Sequence, residues 1–301
     1  MDHSSDAGYR AWVNDFIAQI TAAGLVQTAD TGQWANTGSE TKPANSTVTH
    51  YVVFRFDDAM QGTAPIFIKF LFGSNSNSTN QPRIDWIVGT GSNGSGTITG
   101  TAITTQRTIM YNTTATATGT SRTCWYCHTE GAFWLAWGLS GGTTFDNGTA
   151  YANGAIIRTT DTDGDPDAIG ATMWCNNARS AAYTSAFQAL RFAATAAAYV
   201  AVTSTGSGTN RAAEGVPNFG ESGSLVGGVA QVHPLFSYSP GVYPLFAAGL
   251  IRFTEASYSG TFTWTPLGST SHTYLNVGTQ VAHPHGNSSL TTNYGLALIW
   301  E

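Results

Sequence analysis

Residues 123 to 131 read TCWYCHTEG and hold two cysteines spaced C-x-x-C, a histidine and a glutamate. These are ligand types for zinc and reactants for thiol exchange. A zinc C-x-x-C needs a tight turn so that both thiolates reach one ion. No Gly or Pro stands between Cys124 and Cys127, and the flanks are aromatic and β-branched. The stretch therefore reads as a strand, in which residues three apart point to opposite faces. On that reading Cys124, Tyr126 and His128 share one face, while Trp125 and Cys127 share the other. Trp125 then marks the core side, and Cys124 is the thiol left to meet a partner. Cys175, in TMWCNN, is the remaining cysteine. The disulfide candidates are Cys124 and Cys175, joined to each other or to a second subunit once the protein meets an oxidising medium. Three cysteines are too few for a disulfide-built scaffold.

Other stretches offer oxygen and imidazole ligands. TTDTDGDPD places Asp161, Asp163, Asp165 and Asp167 at alternate positions, as a calcium loop would. An EF-hand order fails, because Gly164 falls at the fourth position and Thr172 at the twelfth. The competing reading is a hairpin turn, since Asp-Gly joins GAIIRTT to IGATMW. VAHPHGN carries His283 and His285, with His233 distant in sequence; the pair could supply half of a metal site, or lie in a loop set by Pro284 and Gly286. Asp57, Asp58, Asp85 and Glu130 are isolated acids of the kind that flank a glycosidic bond, but no spacing pairs them. G-x-S-x-G, H-E-x-x-H and P-loop patterns are missing. No catalytic residue, cofactor or enzymatic activity is therefore expected.

The elements that must carry these residues follow from hydrophobic periodicity. Tyr9, Trp12, Val13, Phe16, Ile17 and Ile20 recur on a 3.6-residue period and predict one amphipathic helix, capped by Ser5 or Asp6 and stopped at Gly24. Its apolar stripe must dock on the protein's own sheet or on a partner. Beyond it the pattern turns to strands. Val52, Phe54 and Phe56 alternate with Tyr51, Val53 and Arg55; Ile66, Ile68, Phe70 and Phe72 alternate with Phe67, Lys69 and Leu71. GAFWLAWGLS is continuously apolar, as in a strand covered on both faces. SNGSGTITGTAITTQRTIMY reads as a hairpin or loop, and residues 186 to 191 are compatible with a short helix. Strand-sized pieces spaced roughly 8–15 residues apart, with Gly and Asn between them, indicate a sandwich or barrel. The expectation is a mainly β chain: an N-terminal helix within residues 1–25, then a single β-rich domain over 26–301. Its architecture would be an antiparallel, jelly-roll-like β-sandwich.

Composition limits function further. Charged residues make up 10% of the 301, against roughly 25% in an average soluble domain. Ser, Thr, Asn and Gly must build much of the surface. Net charge is −6 and the basic residues are scattered, with Lys42 and Lys69 the only lysines, so no stripe is available for nucleic acid. No run approaches the ~20 apolar residues that span a bilayer. The opening MDHSSDAGYRAW lacks the basic region and apolar run of a secretory signal. The Asn-x-Ser/Thr triplets at Asn45, Asn77, Asn93, Asn112, Asn147 and Asn287 then read as by-products of composition.

Three stretches carry a resemblance. GLVQTADTGQ directly follows the helix; YVVFRFDDAMQGTAPIFIKFLFGSNSN with PRIDWIVGTGSNGSGTITG is the longest; IIRTTDTDGDP is the third. Together they resemble tailed-bacteriophage virion structural proteins of the tail and baseplate type, over about half the chain, mainly residues 6 to 170. The resemblance implies a particle component; with no signal peptide it would be assembled in the host cytoplasm, acting through contacts with other virion proteins and its own copies, and a cyclic homo-oligomer such as a trimer follows from the symmetry axes of virion appendages. The resemblance supplies no catalytic residue, and TCWYCH and MWCNN depart from it. The alternative function is a module that binds host-surface glycan from the tail tip or capsid surface. A depolymerase is the third class.

Overall fold

The computed structural model describes residues 3–74, 81–100, 107–111, 124–129, 131–137, 152–160, 166–177, 186–191, 200–201, 232–239, 242–253, 261–264, 271–278 and 295–299. Among them the chain is mainly antiparallel strands with one helix, α1 (Asp6–Ala22). Ser5 is the N-cap: its backbone is extended and its hydroxyl oxygen accepts from the Gly8 N–H at 3.1 Å. Gly24, at φ 103°, takes the left-handed turn that ends the helix. Tyr9, Trp12, Val13, Phe16 and Ile20 are buried.

The helix lies on the first sheet. This sheet runs β1 (Val26–Gln27), β2 (Val48–Arg55), β3 (Phe67–Ser74), β4 (Pro82–Gly89) and β7 (Arg107–Tyr111), neighbours in that order. Between its last two strands in sequence stands a small ribbon of β5 (Gly91–Ser92) and β6 (Ile98–Thr99). SNGSGTITGTAITTQRTIMY thus supplies this short hairpin and a sheet strand as well. The period-2 alternation holds along β3: Ile68, Phe70 and Phe72 are buried, while Phe67, Lys69 and Leu71 are half-buried. Phe16 meets Phe70 and Phe72 edge-on, with ring centroids 5.1 and 5.4 Å apart, and Trp12 meets Phe72 at 5.9 Å. Edge-to-face aromatic pairs are worth about 0.5–1.5 kcal/mol beyond the area they bury.

A second sheet is a meander in chain order: β8 (Cys124–Thr129), β9 (Ala132–Trp137), β10 (Ala152–Thr160), β11 (Pro166–Asn177), β12 (Ala186–Arg191) and β13 (Val200–Ala201). Residues 186 to 191, compatible with a helix by sequence, are therefore strand. The ladder from Gly170↔Arg191 to Cys175↔Ala186 supplies backbone hydrogen bonds that outweigh the helix preference of its alanines. β10 and β11 form an antiparallel pair around the Asp-Gly stretch, as a hairpin requires. The third sheet orders β14 (Val232–Ser239), β15 (Val242–Phe253), β18 (Gly295–Ile299), β17 (His272–Gly278) and β16 (Thr261–Trp264).

One cluster of buried side chains joins α1, the inner face of the first sheet and one face of the second: Phe16, Phe70, Trp86 and Ile109 share it with Phe133, Leu135 and Ile156. Phe70 and Phe133 stand 6.1 Å apart between centroids. Trp86 lies against Gly154, where an added Cβ would come within 2.9 Å of the indole. In β9 the neighbours Phe133, Trp134 and Leu135 are all buried, so this strand is covered on both faces, as its unbroken apolar run suggests.

Candidate functional site

Among the described residues, a dense polar constellation stands on the outer face of the first sheet, away from α1. It is built by the loop after β1 and the β5–β6 hairpin, and its hub is Asp30. Thr28 Oγ1 donates to Asp30 Oδ1 at 2.6 Å, while the Ser92 hydroxyl and the Gly96 N–H donate to Oδ2, the latter at 2.8 Å. Burial opposes the Asp30 charge, but the bonds from Ser92, Thr28 and Gly96 outweigh it and hold the carboxyl below its ordinary value. Gln33 completes the fastening: its amide N–H groups donate to the Thr28 and Asp30 carbonyls at 2.7 and 3.0 Å, and its Oε1 accepts from the Val53 N–H of β2 at 2.7 Å.

Tyr51 and Lys69 lie beneath this lacing. Tyr51 Oη donates to the Thr31 carbonyl at 2.7 Å and approaches the Ser95 carbonyl at 3.3 Å. Lys69 Nζ sits 4.0 Å from the Tyr51 ring centroid, a cation–π contact. Burial lowers the Lys69 pKa, and the Asp30 charge opposes that shift. Gly96 has φ 79°, and a Cβ there would fall 2.3 Å from Tyr51 ring atoms, so the hairpin can cross the ring only with glycine at this position. The arrangement joins two loops to a sheet. Asp30 already accepts from three donors, which suits a fastening better than a general base.

Three of the four acids singled out for hydrolysis are engaged by arginines. Asp57 pairs with Arg55 at 3.1 Å on the surface. Asp85 is buried in β4 and accepts from Arg83 Nε at 2.8 Å and Nη2 at 2.6 Å. Asp58 accepts from Arg158 Nε at 2.6 Å and Nη2 at 2.9 Å, with side-chain exposures of 2% and 0% for the aspartate and the arginine. Arg158 Nη1 also donates to the Ala64 carbonyl at 2.7 Å, and its backbone N–H donates to Gly131 at 2.7 Å. This arginine of β10 therefore ties the second sheet to the loop between β2 and β3. Glu130 lies outside the described residues.

The thiols fall on one sheet but not together. Cys124 and Cys127 stand in β8, the strand that the lack of turn residues predicts. Cys175 stands in β11, and β9 and β10 intervene. Three interstrand steps of ~4.8 Å, with a further two-residue offset in register, put Cys124 and Cys175 well beyond the 4.4–6.8 Å Cα span of a disulfide. Within one chain this ladder does not join them; the intersubunit form of the disulfide reading is the one compatible with it. The register sets Cys127 opposite Trp134 and Tyr126 opposite Leu135. Both β9 residues are buried, on opposite faces. The one-sided core inferred from Trp125 is thus not what the neighbouring strand has.

Of the proposed oxygen ligands, Asp167 is in β11, while Asp161, Asp163 and Asp165 lie outside the described residues, as do His283 and His285. His233 is in β14, opposite Arg252. No cluster of three metal-ligating side chains occurs among the described residues. Two features were not visible in the sequence. Asp30 shows only as an Asp-Thr-Gly loop, and Arg158 only as a lone charge in an apolar strand. The latter is the stronger signal, because a buried charge requires a partner. No protein family, characterised protein or solved structure matches the chain.

Proposed function

We propose that this chain is a structural component of a bacteriophage virion, associated with the tail, baseplate or collar, and that it acts through protein–protein assembly. One observation carries the reading. Each stretch that resembles virion proteins serves as framework: TADTGQ forms the Asp30 lacing, the long stretch forms β2 to β4, and IIRTT brings Arg158 to Asp58. Polar side chains there engage one another, and among the described residues Asp57, Asp58 and Asp85 are each ion-paired with an arginine. A low-charge β surface also suits large interfaces, since few ions must be desolvated on contact.

We further infer that the first two sheets are the layers of a β-sandwich. The shared core supports this, as do the contacts of Phe70 with Phe133 and Trp86 with Gly154. Mass spectrometry of purified particles tests the functional reading. The chain should be present in a fixed copy number relative to known structural subunits. Specific binding on a glycan array by the isolated chain would favour the glycan-binding module at the tail tip or capsid surface instead.

A further inference from the structure

The edges of the three large sheets differ in a way that points to an interface. An exposed strand edge is a template for another chain, and folded proteins blunt it with short strands, bulges, prolines or charges. Among the described residues, β1 and β13 have two residues each and β16 has four. β14 contains Pro234 and register shifts against β15. β7 begins at Arg107 and shifts register against β4. β8 has none of these devices. Its six residues, Cys-Trp-Tyr-Cys-His-Thr, pair with β9 in unbroken register and include no proline, glycine or residue charged at neutral pH. Among the described residues its other side pairs with no strand.

We propose that β8 is a self-pairing edge: in the assembled protein it adds antiparallel to β8 of a second copy about a two-fold axis, so that two six-stranded sheets become one. The occupant follows from the strand's chemistry. An antiparallel edge is complementary to itself under a two-fold axis. Lysine or glutamate here would oppose its own copy, because like charges directly across a ladder repel; this strand brings no such penalty. A two-fold axis normal to the sheet keeps each face on its own side, so residues paired across it differ by an even number. Cys127 can then stand opposite Cys127 of the second copy, or Cys124 opposite Cys124, but Cys124 cannot stand opposite Cys127. That parity gives the thiols a role the within-chain ladder denies them: homotypic cross-links across the seam.

The inference rests on the assembly reading, and one experiment separates the two. The full chain is taken through a dilution series while its mass is followed by sedimentation and its amides by hydrogen exchange. The expected result is a concentration-dependent oligomer in which amides of residues 124–129 gain protection at least tenfold as it forms. Mild oxidation of that oligomer should yield Cys127–Cys127 or Cys124–Cys124 peptides that vanish in the matching Cys→Ser variant. An oligomer whose β8 amides exchange as fast as in the monomer would overturn the self-pairing edge and leave the assembly reading standing. Monomer at every concentration would overturn the self-pairing edge, while the assembly reading is decided by the composition of purified particles. Lysine at the cysteine on the axis (Cys127→Lys or Cys124→Lys) faces its own copy and should dissociate the oligomer, and mixing that variant with the matching Cys→Glu variant should restore a mixed one. Should either variant fail to fold, the exchange experiment on the unaltered chain decides.

Discussion

Asp85 and Asp58 are both held by two bonds from one arginine, yet they do different work. Arg83 and Asp85 are two residues apart on β4, and the arginine is 23% exposed. That pair lies within a single strand. Arg158 and Asp58 are 100 residues apart and buried, and they join two sheets. The long-range pair bears a larger desolvation cost and is repaid only in the finished fold. It therefore ties the second sheet to the loop of the first, while the local pair lies within one strand.

Breaking the long-range pair should have the largest effect. Arg158→Ala leaves the Asp58 charge buried and should cost about 3–5 kcal/mol in denaturant unfolding, the range for removing one partner of a buried pair. Arg158→Met with Asp58→Leu should recover most of that loss, because no charge then remains to be desolvated. A double variant as unstable as the single one would mean that the arginine acts through its bond to Ala64 instead.

Gly154→Ala probes the same junction without touching charge. The added methyl meets Trp86 and Ile109 at 2.9 to 3.2 Å, so overpacking should cost about 1–3 kcal/mol and broaden the tryptophan signals of the core. Arg83→Ala should cost less than Arg158→Ala, about 1–2 kcal/mol, because truncating the partly exposed Arg83 opens a path for water to Asp85. Equal losses for the two arginines would erase the distinction between local and long-range pairs.

The smallest effect concerns the junction between helix and sheet. Tyr9 of α1 and His50 of β2 share a hydrogen bond of 2.9 Å, with Trp34 edge-on to the imidazole at 4.9 Å. Burial lowers the His50 pKa from 6.5, and the Glu40 charge opposes the shift. A histidine whose pKa is depressed in the fold stabilises it above the unfolded value and loses that contribution as pH falls through the folded one. Stability should therefore decline below pH 6.5, and His50→Gln should flatten that part of the profile. Chemical-denaturation midpoints measured across pH, for both chains, test it.

How much of this was legible in sequence depends on range. The alternation of Ile68, Phe70 and Phe72 with Phe67, Lys69 and Leu71 is a local signal and marks the buried face of β3. Ser5 and Gly24 likewise mark the ends of the helix. The apolar run Phe133–Leu135 announces a strand covered twice over. Ala186–Arg191 was ambiguous because its alanines favour helix locally, and only the β11 ladder decides. Asp58 stands in the sequence as an isolated acid and Arg158 as a lone charge in an apolar strand, and only the fold brings them together. The separation of Cys124 from Cys175 likewise needs the order of strands, which no spacing encodes.

The central claim is that this chain is built into a particle, and localisation tests it most directly. Particles carrying a small labelled copy of the chain, viewed by negative stain, should show label at fixed, symmetry-related positions on the tail, baseplate or collar. Particles that are complete and infectious yet lack both the label and the unlabelled chain would contradict the account.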